Sequence, residues 1–319
     1  MKAWQWAGWG LAGFAVAVSL ANASWIASPL RKPLILVAHR GLAQQFDREG
    51  VGRDTCTATR IRPPEHDFIE NTLRSMSNAR HFGADAIELD VHPTRDGQMV
   101  VFHDWTLDCR TDGKGPVREK TLAELKKLDV GYGYTADGGR TFPLRGRGIG
   151  GMPTVEETLR EVTGMRLFFN FKSKDPRDAD ALVAAFGRAG VAIDRKFAFY
   201  GHPRVTSRLR RLVPGARTFS KEEIKACLVD YVKLGWTTYV PESCRNRIVA
   251  VPLNYQWAIW GWPKRFLARM DSVGTEVILI GPDGASGLER PEQLAKVPRD
   301  FRGYLWIEDF YNVGRALEN

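Results

Sequence analysis

The stretch AIELDVHPTRDGQMVVFHD, residues 86–104, carries the pattern that decides the fold. An apolar strand bears Glu88 and Asp90, an Asp-Gly turn follows, and a second apolar run ends at His103 and Asp104. Alternate residues of a strand point to the same side, so both carboxylates are expected on one face. Two neighbouring acids repel each other unless a proton or a cation lies between them, and hard divalent cations prefer oxygen ligands. The stretch therefore predicts a metal site with a histidine beside it.

Apolar runs alternate with helical segments along most of the remaining chain. Further strands are predicted at residues 34–38, 166–172, 196–200, 217–220, 248–253, 276–280 and 304–307, with helices between most of them. Repeated strand and helix units predict a parallel sheet, and about eight strands predict a (β/α)8 barrel, the TIM barrel. An open doubly wound sheet is the alternative. The barrel domain is expected over residues 34–319.

The composition favours an anionic partner. The 319 residues carry a formal net charge of +9, and 44% of them are hydrophobic. A basic protein attracts nucleic acids, phosphorylated metabolites and anionic membrane surfaces. Because the basic residues are spread along the chain, and no zinc-finger spacing, RNA-recognition signature or basic tail is present, no nucleic-acid partner is expected.

The N-terminal segment, residues 1–33, differs from everything after it. No charged residue lies between Lys2 and Arg31, which is long enough for a membrane span, and residues 21–23 read Ala-Asn-Ala, a signal-peptidase pattern. The segment is expected to be a signal peptide or a membrane anchor; a buried N-terminal helix is the alternative. Export would place the catalytic domain in the periplasm or elsewhere outside the cytoplasm. A tryptophan run at residues 257–262 either contacts lipid, lines a groove or packs inside the fold.

Four cysteines agree with an oxidising compartment. They are even in number, and none has the C-x-x-C spacing of a zinc or redox site. Proximity in sequence and the strand-like segments that precede two of them predict the disulfides Cys56–Cys109 and Cys227–Cys244. Four free thiols in a reducing compartment are the alternative.

Several short motifs together resemble a known family. They are His39-Arg40-Gly41, Glu70-Asn71-Thr72, Glu88-Leu89-Asp90, and Asp96-Gly97 followed by His103-Asp104, with a weaker match at Asn170-Phe171-Lys172. In this order and spacing they resemble the glycerophosphodiester phosphodiesterase family. The resemblance implies a TIM barrel related to phosphatidylinositol phospholipase C, a bound Ca2+ or Mg2+, and hydrolysis of a phosphodiester by two histidines.

The resemblance also implies roles for individual residues. His39 would be the general base and His103 the general acid, while Arg40 and Lys172 would bind the substrate phosphate.

Glu88 and Asp90 match the metal ligands of the family. The expected third carboxylate is replaced by Asn170, whose amide oxygen is a weaker ligand for a hard cation. The supporting residues would be Glu70, Asn71 and Asp104, and Glu70 would either bind the water of the metal or brace the site. His92 lies on the same strand face as the two acids, and a supporting or structural role is preferred for it over metal binding.

The predicted activity is metal-dependent hydrolysis of a glycerophosphodiester to sn-glycerol 3-phosphate and an alcohol. Substrates of this class include lysophospholipids. One alternative is a phospholipase D-like lipid phosphodiesterase on the same barrel. Another is a catalytically silent protein that binds phosphodiesters or lipid headgroups, for which Asn170 is the only support. The sequence predicts no oligomeric state.

Overall fold

The structure is a computed structural model that describes residues 3–52, 55–284 and 286–318. The chain forms two compact units. The first unit comprises the described residues within 36–220, 287–291 and 306–319, and the second comprises those within 1–35, 221–286 and 292–305. All residues predicted to form the functional site belong to the first unit.

Helices and strands alternate as the sequence predicts. The strands are β1 (Ile35–His39), β2 (Ala86–Pro93), β3 (Met99–Val101), β4 (Arg166–Phe171), β5 (Phe197–Tyr200), β6 (Arg217–Phe219), β7 (Ile248–Pro252), β8 (Glu276–Ile280) and β9 (Tyr304–Ile307). The α-helices are α1 (Ala3–Asn22), α2 (Leu73–His81), α3 (Leu122–Leu125), α4 (Val155–Glu161), α5 (Arg177–Ala189), α6 (Pro203–Leu212), α7 (Lys221–Leu234), α8 (Lys264–Ser272) and α9 (Phe310–Glu318).

The first unit contains five parallel strands, in the spatial order β1, β2, β4, β5 and β6. The short strand β3 pairs antiparallel with β2, which confirms the predicted hairpin. Every residue of β2 from Ala86 to His92 is buried. Burial along a whole strand is typical of parallel sheets, where both faces are covered.

Aromatic side chains fill the core beside β4 and β5. Phe169 is fully buried and packs against Phe186, Phe197 and Phe199 with ring centroids 5.3–6.2 Å apart. A smaller buried cluster lies under the long loop at residues 42–68 and joins it to the segment after β3; Ile61, Phe102 and Leu144 belong to it. The long loop is therefore packed against the unit over part of its length.

Hydrogen bonds inside the glycine-rich region at residues 131–151 hold it in a defined conformation. The sequence predicts a flexible loop there. In the structure the buried carboxylate of Asp129 accepts hydrogen bonds from the backbone N–H groups of Gly131, Gly146 and Gly148. The region is a loop, and the Asp129 carboxylate organises it.

The second unit contains the parallel strands β7 and β8 and the first two residues of β9, Tyr304 and Leu305, which pair with β8. Helix α1, which occupies most of the predicted N-terminal segment, ends beside α8. The Arg269 guanidinium donates to the Ala21 carbonyl at 3.0 Å and to the Asn22 side-chain oxygen at 2.9 Å. Among the described residues, no helix combines the length and apolar character that crossing a bilayer requires. A signal peptide or anchor at residues 1–33 stays a prediction.

Both predicted disulfides are present. Cys56 and Cys109 are bonded within the first unit, and Cys227 and Cys244 within the second. Bonds of this kind persist in oxidising compartments and are rare in the cytosol of most organisms.

Candidate active site

The register of four neighbouring strands brings the predicted polar residues together. His39 at the end of β1 is opposite Glu88 in β2, and Asp90 two residues later is opposite Asn170 in β4. Asn170 is in turn opposite Tyr200, the last residue of β5. Because the carboxyl ends of parallel strands meet at one edge, these side chains form one cluster, at the position where catalytic residues of α/β barrels occur.

Asp90 lies at the centre of this cluster and is completely buried. Arg40 Nε and Lys172 Nζ are 3.2 and 3.3 Å from its carboxylate. The side-chain amides of Asn71 and Asn170 donate to it at 3.0 and 2.8 Å. Burial opposes ionisation, but Lys172 and Arg40 outweigh it and hold the pKa of Asp90 well below its usual range. Asp90 is therefore an ionised anchor for two cations.

Glu88 has the opposite electrostatic environment although it is only two residues away. The Tyr200 hydroxyl donates to Glu88 Oε1 at 2.5 Å, and Oε2 is buried without a hydrogen-bond partner, 3.4 Å from His39 Nε2. Burial and the negative charge of Asp90 raise the pKa of Glu88 to about 7. This carboxylate holds a proton readily, and it has one oxygen available to another ligand.

His39 is held by an acid that the sequence did not identify. Its Nδ1 lies 2.7 Å from Oε2 of Glu308, which follows the last residue of β9. Burial is the largest single effect and lowers the pKa of His39, but the charges of Glu308 and Glu88 and the hydrogen bond to Glu308 together outweigh it, so the net pKa is raised.

His103 has a similar carboxylate partner in its neighbour. Its Nδ1 lies 2.6 Å from Asp104 Oδ1, and Arg110 Nε lies 3.0 Å from the other oxygen of Asp104. Burial and the charge of Arg40 lower the pKa of His103 to about 4. In the free protein, protonation is therefore favoured at His39 and disfavoured at His103. A general base at His39 and a general acid at His103 would need the reverse.

Glu70 braces the two halves of the cluster. It accepts from Arg40 Nη1 at 2.9 Å and from Arg110 Nη1 at 3.3 Å. Arg40 and Asn71, the residue after Glu70, both have left-handed backbone conformations, with φ of 59° and 58°. The Asn71 N–H donates to the Arg40 carbonyl at 3.0 Å. Strained residues of this kind occur where surrounding contacts impose a functional geometry.

His92 is buried behind the site with its ring against Trp105, at a centroid distance of 5.8 Å. Burial and the charge of Lys172 lower its pKa to about 3, so it is neutral. A supporting or structural role for His92 stays a prediction.

A match to a protein-family model shows the family to which the chain belongs. The model of the glycerophosphoryl diester phosphodiesterase family matches residues 39–207, more than half of the chain. The chain belongs to this family. The match begins at His39 and contains every predicted site residue, from the first motif to Lys172.

Individual family relatives match over different lengths. The chain is 42% identical to the Bacillus subtilis protein YhdW over 234 residues, which are 66% of this chain and 88% of that protein. A glycerophosphodiester phosphodiesterase of Caldanaerobacter subterraneus subsp. tengcongensis is 53% identical over 65 residues, 20% of this chain and 27% of that protein. Another from Bacillus subtilis is 33% identical over 172 residues, 52% and 48% of the two chains. The chain thus spans less than half the length of two of these three relatives.

Solved structures confirm the fold. The glycerophosphoryl diester phosphodiesterase domain of Rv2277c from Mycobacterium tuberculosis superposes with a TM-score of 0.65 at 19% identity, covering 90% of this chain and all of that domain. A phosphodiesterase of Oleispira antarctica in complex with the product sn-glycerol-3-phosphate has a TM-score of 0.57 at 18% identity, covering 90% and 98% of the two chains. The predicted parallel α/β barrel class is correct.

The donor chemistry of the residues at the strand ends decides whether they could hold a metal. Among the residues that the structure describes, no group of three or more His, Cys, Asp or Glu side chains has a metal-binding arrangement. Glu88 nevertheless offers a buried oxygen without a hydrogen-bond partner, and burial together with the charge of Asp90 raises the pKa of its carboxyl. Because Asn170 uses its amide nitrogen toward Asp90, its oxygen is left to another partner. The donor set of Glu88, Asp90 and Asn170 fits a hard cation with two carboxylates and one amide.

Sequence reasoning missed three residues of the site. They are Glu308, Tyr200 and Arg110. Glu308 and Tyr200 lie at the carboxyl ends of predicted barrel strands, so strand position was the signal available for them. Arg110 follows Cys109, and only the structure reveals that it joins Asp104 to Glu70.

Proposed function

We propose that this protein hydrolyses glycerophosphodiesters to sn-glycerol 3-phosphate and an alcohol. The observation that carries the proposal is the pair of histidines, each with a carboxylate on Nδ1, on a cluster that also contains Arg40 and Lys172. Phosphodiester hydrolysis needs one group to take a proton from the attacking oxygen and one to give a proton to the leaving alkoxide. Membership of the family supports this substrate class.

In the proposed mechanism, Arg40 and Lys172 bind the phosphate. Arg40 presents a planar fork of donors, and Lys172 presents a point charge. His39 accepts the proton of the attacking oxygen, and His103 protonates the leaving group. The low pKa of His103 in the free protein arises from burial and the charge of Arg40, with a smaller contribution from Lys172. A bound phosphodiester offsets both positive charges, so we expect it to raise the pKa of His103 and to supply the protonated donor.

We also propose that Glu88, Asp90 and Asn170 hold a divalent cation, Ca2+ or Mg2+. The ion, when bound, would neutralise phosphate charge during the reaction. The residues of the chain still provide the orientation: Tyr200 fixes one oxygen of Glu88, and Arg40 and Lys172 fix Asp90.

The first prediction concerns turnover. The purified protein is expected to release sn-glycerol 3-phosphate from glycerophosphocholine with added Ca2+ or Mg2+, and to lose this activity in EDTA. His39→Ala and His103→Ala should each lower kcat by about 10²-fold or more, the usual contribution of an acid–base group. The measurement is enzyme-coupled detection of glycerol 3-phosphate.

A leaving group that needs no protonation separates the two histidine roles. With a glycerophosphoryl p-nitrophenyl ester, His103→Ala should recover much of its rate, because p-nitrophenolate leaves without a proton, and His39→Ala should not. The reverse pattern would make His39 the general acid and His103 the general base. Activity only on lysophospholipid micelles would replace the proposal by the lipid-phosphodiesterase alternative. Binding without turnover of either substrate would leave a binding protein.

The second prediction concerns the third ligand. Asn170→Glu adds a carboxylate beside Glu88 and Asp90, so it should tighten binding of Ca2+ or Mg2+ in a calorimetric titration by about tenfold, because a further anionic ligand raises affinity for a hard cation. Asn170→Gln, which keeps the amide and changes the length, is the matched control. Unchanged affinity in Asn170→Glu would remove Asn170 from the ligand set.

We propose that the protein functions outside the cytoplasm with residues 1–33 retained. Two disulfides support an oxidising compartment. Retention is supported by the contacts of the Ala-Asn-Ala site: Ala23 is buried, and Arg269 donates to both Ala21 and Asn22. Cleavage after Ala23 would remove both of these acceptors from Arg269.

The third prediction tests this location. When the full chain is expressed in a secreting bacterium, intact mass spectrometry of the extracytoplasmic and membrane fractions should find the N-terminal helix present and all four cysteines oxidised. A mature protein that begins at Ser24 would contradict retention. Free thiols in all four positions, with the protein in the cytosol, would contradict the proposed compartment.

A further inference from the structure

The carboxylate of Glu308 is fixed by groups other than His39. Its side chain is 7% exposed, and Oε2 accepts the backbone N–H of Gly287 at 3.1 Å as well as facing His39 Nδ1 at 2.7 Å. Its other oxygen, Oε1, lies 2.7 Å from Arg48 Nη2. A buried carboxylate with partners on both oxygens has little freedom to rotate, so it defines where the ring of His39 can lie.

This arrangement decides which ring nitrogen of His39 is available for chemistry. An ionised carboxylate is an acceptor only, so a hydrogen bond to it requires the proton on Nδ1. A neutral His39 then carries an unprotonated Nε2, and Nε2 is the nitrogen that faces the cluster, 3.4 Å from Glu88 Oε2. Without the carboxylate, the ring could rotate or place its proton on Nε2, and either change would remove the acceptor.

We propose that Glu308 is a positioning residue for His39, which holds the ring and its Nδ1–H tautomer so that Nε2 can accept the proton of the attacking oxygen. The inference rests on the proposed function, because it assigns a role within that reaction. Glu308 acts through His39 and takes no proton from the substrate itself. Its position matches that of Asp104 on His103, so each of the two histidines is oriented by one acid.

Arg48 provides a matched control because it pairs with two acids. It contacts both Glu308 and Glu289. Glu289→Gln changes the charge beside Arg48 without touching a residue of the proposed machinery. If Glu308 served only to hold Arg48 and its loop in place, the two glutamine variants would behave alike.

The experiment compares Glu308→Gln, Glu308→Asp and Glu289→Gln in the full chain. Glu308→Gln keeps the shape of the side chain, but the Gly287 N–H donates to one oxygen and the Arg48 guanidinium lies against the other, so the new amide must turn its own N–H groups toward one of these donors. We expect kcat to fall by about tenfold or more, with KM within about threefold, because the loss affects proton transfer more than binding. Glu308→Asp, which restores the charge, should recover part of kcat, and Glu289→Gln should match the wild type.

A second readout follows the ring directly. The ¹⁵N chemical shifts of neutral His39 should report a proton on Nδ1 in the wild type and in Glu289→Gln, and a mixture of tautomers in Glu308→Gln. An unchanged tautomer in Glu308→Gln, an equal loss in Glu289→Gln, or a loss confined to KM would overturn the inference. A wild-type protein with no turnover would instead overturn the proposed function, and the ¹⁵N spectra would still decide whether Glu308 fixes the ring.

Discussion

The ion pairs between the buried carboxylate of Asp90 and the cations Arg40 and Lys172 are the interactions on which the rest of the site depends. A carboxylate with no exposed surface would be costly to ionise alone, and removing one member of a buried pair typically costs about 3–5 kcal/mol. Asn71 and Asn170 supply further hydrogen bonds to the same carboxylate. The cations are therefore held in place before any substrate arrives, as electrostatic catalysis requires.

The contrast between Asp90 and Glu88 follows from this arrangement. Both acids lie on β2 two residues apart, yet Arg40 and Lys172 lie against Asp90, whereas Glu88 accepts from the Tyr200 hydroxyl and faces the edge of His39. Repulsion from Asp90 and burial then raise the pKa of Glu88. Because the pKa values of the two acids are separated, Asp90 stays ionised, and Glu88 can exchange a proton for a cation.

Sequence alone predicted the framework of the site because that framework is local. The strand pattern of residues 86–104, the apolar run before His39 and the polar ends of later strands follow from side-chain periodicity and strand order. The disulfide pairs were also predicted correctly. Glu308 was missed because it lies 269 residues from His39 in the sequence, and no local pattern links the two. The brace formed by Arg110 was missed for a similar reason: it depends on how the loop after His103 folds back toward Glu70.

The most direct test of the account replaces Asp90 with asparagine and measures kcat/KM for release of sn-glycerol 3-phosphate from a glycerophosphodiester. The substitution preserves the shape of the side chain and removes the charge that holds Arg40 and Lys172. If that charge organises the phosphate site, kcat/KM should fall by about 10²-fold or more, the scale of a lost electrostatic contribution to catalysis. A folded Asp90→Asn protein with kcat/KM within about threefold of the wild type would contradict the central role given to Asp90.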